Sequence, residues 1–108
     1  MSQTETLARL EATIAQRAAA DPDASYVAKL NARGLNKIAQ KLGEEATETI
    51  IAALAEDKAA LVGEAADLLF HLMVLLGRKG VPFADVLAEL DRREGVSGIA
   101  EKASRPQD

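Results

Sequence analysis

Two short acidic strings in this sequence have the residue types and the spacing to do chemistry. Gly43-Glu44-Glu45-Ala46-Thr47-Glu48 and Glu64-Ala65-Ala66-Asp67 each hold a carboxylate pair at i, i+3, which sets two side chains one turn apart on one helical face. On antiparallel helices joined by a turn near Asp57, Glu45, Glu48, Glu64 and Asp67 would converge on one spot. Such a cluster of carboxylate oxygens suits Mg²⁺, which takes oxygen ligands in octahedral array and keeps several waters. The chain has no cysteine, so thiolate sites and disulfides are excluded. A di-iron bundle, with Glu-x-x-His on two helices, is excluded as well: His71 is the sole histidine and Leu68 stands three residues before it.

Position around each helix sorts the carboxylates. Glu45 projects on the side of Ile38, Leu42 and Thr49, while Glu64 and Asp67 are flanked by Leu68, Val74 and Leu75. A carboxylate facing a core is costly unless it is paired or bound to a cation. Glu44 points toward Lys37 and reads as a solvated residue beside the site. His71 lies one turn beyond Asp67, which leaves two readings: a satisfied core histidine, or a hydrogen bond that orients Asp67. Lys37 and Lys41 are one turn apart on the helix of Glu44 and Glu45, and Lys29 and Arg33 reach the same mouth if the segment before Gly34 folds back. Spacing alone fits helical ion pairs and phosphate binding by Lys29, Lys37 and Lys41 equally well.

The elements that must position these groups are helices. At 108 residues with 48% apolar but only 3% aromatic content, the chain can bury one core. Its supply of Ala and Leu favours helix packing over sheet. Ser2 and Glu5 match a capping box for a first helix, which Asp21-Pro22-Asp23 breaks. A short piece follows over Ser25–Ala32, closed by Gly34. Asn36 is expected to cap a long helix over Lys37–Glu56, and Asp57 another over Lys58–Lys79, stopped by Gly80. Pro82 opens a further helix with an apolar stripe of Phe83, Val86, Leu87 and Leu90, ended by Gly95. The expected organisation is one all-α domain over residues 1–95, a bundle of four to five helices, with a polar mobile tail over 96–108.

The Lys58–Lys79 segment is apolar almost all round, from Leu61 through Leu76. A helix of that kind has to be buried on more than one side, which a chain this small meets most simply by pairing with a second copy. The formal net charge is −4 and there is no basic stripe with interleaved aromatics, so nucleic acid is not an expected partner. Met1–Leu10 lacks the features of a signal peptide, and the apolar run Leu68–Leu76 is too short to span a bilayer. The expected setting is therefore the cytoplasm, without a membrane.

Three strings together resemble a known family: Ser25-Tyr26-Val27-Ala28-Lys29-Leu30, then Gln40 to Glu48, then Glu64 to Leu72. They are similar to phosphoribosyl-ATP pyrophosphatases, within the MazG-like all-α nucleotide pyrophosphohydrolases that share an EExxE…ExxD signature. The likeness covers roughly Leu7 to Arg93. It implies hydrolysis of 1-(5-phosphoribosyl)-ATP to 1-(5-phosphoribosyl)-AMP and pyrophosphate, the second step of histidine biosynthesis. It also implies Mg²⁺ on Glu45, Glu48, Glu64 and Asp67, and a homodimer. Glu44 or Glu48 would take the proton from water. Two other functions compete: a housecleaning enzyme acting on nucleoside triphosphates, and a non-catalytic helical dimerisation module.

Overall fold

The computed structural model describes residues 4–106, and every regular element among them is a helix. In chain order these are α1 (Thr4–Arg17), α2 (Tyr26–Arg33), α3 (Leu35–Ala55), α4 (Lys58–Arg78), α5 (Phe83–Arg93) and α6 (Gly98–Ala103). The Ser2 cap expected for α1 lies outside the described residues.

Local chemistry fixes most boundaries. Between α1 and α2 the Asp21 side chain accepts the Asp23 backbone N–H at 2.9 Å, holding the break around Pro22. Ser25 caps α2, its hydroxyl oxygen accepting the Ala28 N–H. Gly34, at φ 98°, closes α2 and opens α3 within a single residue. The cap expected from Asn36 is thereby corrected. A glycine in this region of backbone space turns the chain directly into the next helix at Leu35, so Asn36 already lies inside α3. Asp57 caps α4 as expected, accepting the Ala60 N–H at 2.9 Å, and Gly80 at φ 71° follows its end. Pro82 precedes α5, and the first N–H of that helix, from Phe83, is satisfied across the fold by the Glu11 carboxylate of α1 at 2.7 Å.

α3 and α4, 21 residues each, are joined by only Glu56 and Asp57 and pair as an antiparallel hairpin. α1 and α2 pack against the half of this hairpin formed by the start of α3 and the end of α4. The core sits there, built from Ile14, Val27, Leu30, Ile38, Met73, Val74 and Phe83. The opposite half of the hairpin has no such cover in the single chain: Ile50, Ile51, Leu54 and Val62 are exposed, Leu54 by 84%. α4 is long and apolar enough, by length and composition, to cross a membrane, which the short run Leu68–Leu76 did not suggest. Here it is the helix on which both α3 and α1 pack.

The apolar stripe expected on α5 is only partly used. Phe83 is buried and Val86 half-buried, while Leu87 and Leu90 are exposed. The stretch after Gly95, expected as a mobile polar tail, contains α6. Ser97 caps it, and Glu101 is buried among the guanidinium groups of Arg105 at 2.7 Å, Arg92 at 3.4 Å and Arg93 at 3.7 Å. Composition did not show this, because the anchor is ionic rather than apolar.

Candidate active site

The carboxylates meet where the packed half of the hairpin gives way to its open half. Glu45 and Glu48 come from α3 and Glu64 from α4, and one oxygen of each lies within 4.8 Å of the others. Glu45 is buried, at 7% exposure, Glu64 is half-buried and Glu48 is open to solvent. Thr49 pins the helices together at this level. Its hydroxyl lies 2.8 Å from the Glu45 carbonyl and 3.1 Å from the Glu64 carbonyl, bridging the backbones that carry two of the three carboxylates.

The electrostatics of the cluster are unbalanced. Burial, and then the Glu48 carboxylate against them, push both Glu45 and Glu64 above the ordinary carboxylate value. Within the protein, Oε2 of Glu45 and Oε2 of Glu64 are buried and accept no hydrogen bond. Two orphaned, inward-facing carboxylate oxygens beside a third carboxylate are an oxygen-only donor set, which fits a hard divalent cation. Lys41 is the nearest cation, 3.9 Å from Glu45, but it lies closer to Glu44, at 3.1 Å.

Asp67, the fourth expected member, is not within this tight group. It is exposed, one turn along α4 from Glu64, and close enough for its charge to raise both Glu45 and Glu64 further. Glu44 is turned away from the cluster, accepting from Gln40 at 2.9 Å and Lys41 at 3.1 Å, bonds that hold its carboxyl below the ordinary value. Of the three lysines, Lys41 reaches the site, Lys37 is half-buried within electrostatic range of Glu44, and Lys29 is exposed on α2.

Of the two readings of His71, its bonds fit the satisfied core histidine. Its Nδ1 donates to the Asp67 main-chain carbonyl at 2.7 Å, and its Nε2 is bonded to the Tyr26 hydroxyl at 2.8 Å. Both ring nitrogens are therefore taken, and the histidine is a satisfied core residue that ties α2 to α4. A carbonyl only accepts, so Nδ1 carries a proton; in the neutral imidazole Nε2 is then the acceptor and Tyr26 the donor. Phe70 completes the group, its ring stacked on Tyr26 at 6.2 Å. Sequence reasoning assigned no role to Tyr26, Phe70 or Thr49. The Ser25–Leu30 string was the available signal for Tyr26, whereas Thr49 gave none, since a threonine within a helix is unremarkable until its cross-helix partner is known.

A cleft of about 480 Å³ opens at the far end of α4, among Ile14, Val27, Met73, Val74 and Val81. It shares no residue with the carboxylates, and its polar groups are spent on structure. Glu11 accepts from Phe83, Arg78 donates to the Asn31 carbonyl, and Asn31 donates to the Ala18 carbonyl. The chemistry lies at the acidic cluster.

Residues 7–94 match the family described as phosphoribosyl-ATP pyrophosphohydrolase. The chain belongs to this family. It is 76% identical over 105 residues to the phosphoribosyl-ATP pyrophosphatase of Novosphingobium aromaticivorans, covering 97% of this chain and 98% of that one. The protein of that name from Rhizorhabdus wittichii is 72% identical, covering 96% and 98%. The one from Agrobacterium fabrum is 55% identical, covering 94% of each. The matched span runs from within α1 through α5, includes every carboxylate of the cluster, and ends at Glu94 before α6.

Proposed function

We propose that this chain hydrolyses 1-(5-phosphoribosyl)-ATP to 1-(5-phosphoribosyl)-AMP and pyrophosphate, the second step of histidine biosynthesis, at the cluster of Glu45, Glu48 and Glu64. Family membership supports the substrate. The observation that carries the site is the pair of buried, unpartnered oxygens on Glu45 and Glu64. Mg²⁺ is the proposed cofactor, held by these residues with Glu48 and with Asp67 one turn away. When bound it supplies charge neutralisation for phosphoryl oxygens and acidifies water.

The chain's own groups divide the remaining work. Water adds to the α-phosphorus, the bond from that phosphorus to the α–β bridging oxygen breaks, and pyrophosphate leaves. Glu48, the exposed member of the cluster, accepts the proton from water. Glu44 is less suited, because Gln40 and Lys41 stabilise its ionised form and so weaken it as a base. Lys41, with Lys37 and Lys29 around the mouth, offers positive charge to the departing pyrophosphate.

The proposed assembly is a homodimer in which a second copy covers the open half of the α3–α4 hairpin. Leu54 and Val62, 84% and 69% exposed in the single chain, support it. The proposed setting is the cytoplasm, with neither membrane nor nucleic acid as partner. A membrane-spanning α4 would place Glu64 and Asp67 in hydrocarbon.

The test is pyrophosphate release from 1-(5-phosphoribosyl)-ATP measured beside ATP and a panel of deoxynucleoside triphosphates. Phosphoribosyl-ATP should be turned over fastest and only with Mg²⁺. Faster turnover of a deoxynucleotide would assign a housecleaning role instead.

A further inference from the structure

Aromatic side chains are scarce here: one tyrosine, two phenylalanines and no tryptophan in 108 residues. The tyrosine, one of the phenylalanines and the only histidine nevertheless form a single group, Tyr26, Phe70 and His71, beside the carboxylates. The charges of Lys41, Glu45, Glu44 and Asp67 all bear on the Tyr26 phenol.

The group is ordered to hold one ring still. Asp67 O accepts from His71 Nδ1, and His71 Nε2 takes the Tyr26 hydroxyl, so the ring is fixed at its polar end. Phe70 lies against one face, at 6.2 Å and 26° from parallel. Tyr26 is still 46% exposed. With Phe70 on one face and His71 at the hydroxyl, that exposure falls on the second face and the free edges. A phenol ring locked by its hydroxyl and left open on one face is a stacking surface made without further ordering cost. Its hydroxyl proton is committed to His71, so the oxygen can only accept and offers nothing to a phosphate. The ring is therefore suited to a part of the substrate that is not phosphate.

We propose that the open face of Tyr26 stacks on the adenine of the substrate and is the residue that selects the N1-substituted base over plain adenine. Attaching a ribosyl group at N1 of adenine leaves the ring carrying positive charge near neutral pH. The electron-rich face of a tyrosine attracts such a ring by cation–π interaction in addition to stacking. The inference rests on the substrate reading above. It makes Tyr26 a specificity residue rather than a catalytic one, with His71 and Phe70 as positioning residues behind it.

The test uses the full chain. Because Tyr26 is the only tyrosine and there is no tryptophan, intrinsic fluorescence reports this ring alone. Titration with N1-methyl-AMP, corrected for absorption, should quench it saturably, and AMP should require at least about tenfold higher concentration, the factor that about 1–2 kcal/mol of cation–π preference implies. Tyr26→Leu should raise KM for phosphoribosyl-ATP about tenfold or more with kcat little changed, and Tyr26→Phe should restore most of the lost affinity. Equal quenching by the two nucleotides, or a Tyr26→Leu variant with parental KM, would overturn the proposal. If Tyr26→Leu does not fold, the fluorescence comparison on the parent protein still decides. A parent protein that fails to turn over phosphoribosyl-ATP would instead sink the substrate reading, whatever Tyr26 does.

Discussion

Thr49 offers a direct test of how the two carboxylate-bearing helices are held in register. Thr49→Val keeps the β-branched shape and a similar helix propensity, so it removes the hydroxyl and little else. The hydroxyl spans the Glu45 carbonyl at 2.8 Å and the Glu64 carbonyl at 3.1 Å. It has one proton, so the two contacts amount to a single shared donor. Both carbonyls lie inside α-helices and keep their own backbone partners, so neither is orphaned by the change. The expected cost is therefore that of one ordinary hydrogen bond, about 1 kcal/mol. For a domain of this size that corresponds to a melting temperature lower by about 4–8 °C. Thermal unfolding followed by circular dichroism, with Mg²⁺ absent, measures it, and Thr49→Ser should recover most of the loss. Turnover should fall in the valine variant and return in the serine variant, because Glu45 and Glu64 lose their shared anchor. If valine melts with the parent, or serine is as unstable as valine, the hydroxyl does not tie the helices together and the register argument is wrong.

Other expectations follow from the same structure. Glu45 and Glu64 are raised above the ordinary carboxylate value by burial and by Glu48. The metal-free protein should thus gain stability as pH falls from neutral toward that ordinary value, because the folded state binds more protons there than the unfolded state. Glu44 and Glu101, which are lowered, withdraw stability only below that window; melting curves of parent and Glu45→Gln against pH should show a flatter response in the variant. Millimolar Mg²⁺ should raise the parent's melting temperature while matched ionic strength from NaCl does not, since a ligand of the folded state stabilises it by mass action. An unchanged melting temperature would argue against a preformed site. Glu101→Gln should loosen α6 from Arg92, Arg93 and Arg105 without touching the rest, seen as faster amide exchange over residues 98–103 and unaltered protection in α3 and α4.

Residue pattern made the helices legible because their punctuation is local. Asp57 capping α4 and Gly80 after it act through neighbours two to four residues away. Asn36 does not cap α3 for a related reason: a good capping residue stands near the boundary, but Gly34 at positive φ has already made the turn. Helical phase also brought Glu45, Glu48 and Glu64 together, since i, i+3 spacing and a tight hairpin leave few other arrangements. Asp67 and His71 show where phase stops being enough. Both share the face of Glu64, yet one is left exposed beside the group and the other bonds a main-chain carbonyl and Tyr26. What separates them is the side-chain bond from Tyr26 of α2 to His71 of α4, between residues 45 apart in sequence. α6 escaped notice because its anchor, Glu101 among three arginines, carries no apolar periodicity.

Mg²⁺ titration calorimetry on Glu45→Gln, Glu48→Gln, Glu64→Gln and Asp67→Asn, with turnover of phosphoribosyl-ATP measured on the same samples, tests the central claim most directly. Each change keeps shape and removes one negative charge. Turnover should fall about a hundredfold or more in each, with Mg²⁺ binding lost or sharply weakened, most of all for the buried pair Glu45 and Glu64. Glu44→Gln, whose carboxylate is held by Gln40 and Lys41 away from the cluster, should do less. If all four variants bind Mg²⁺ as the parent does, the cluster is not the metal site and the proposed mechanism fails with it.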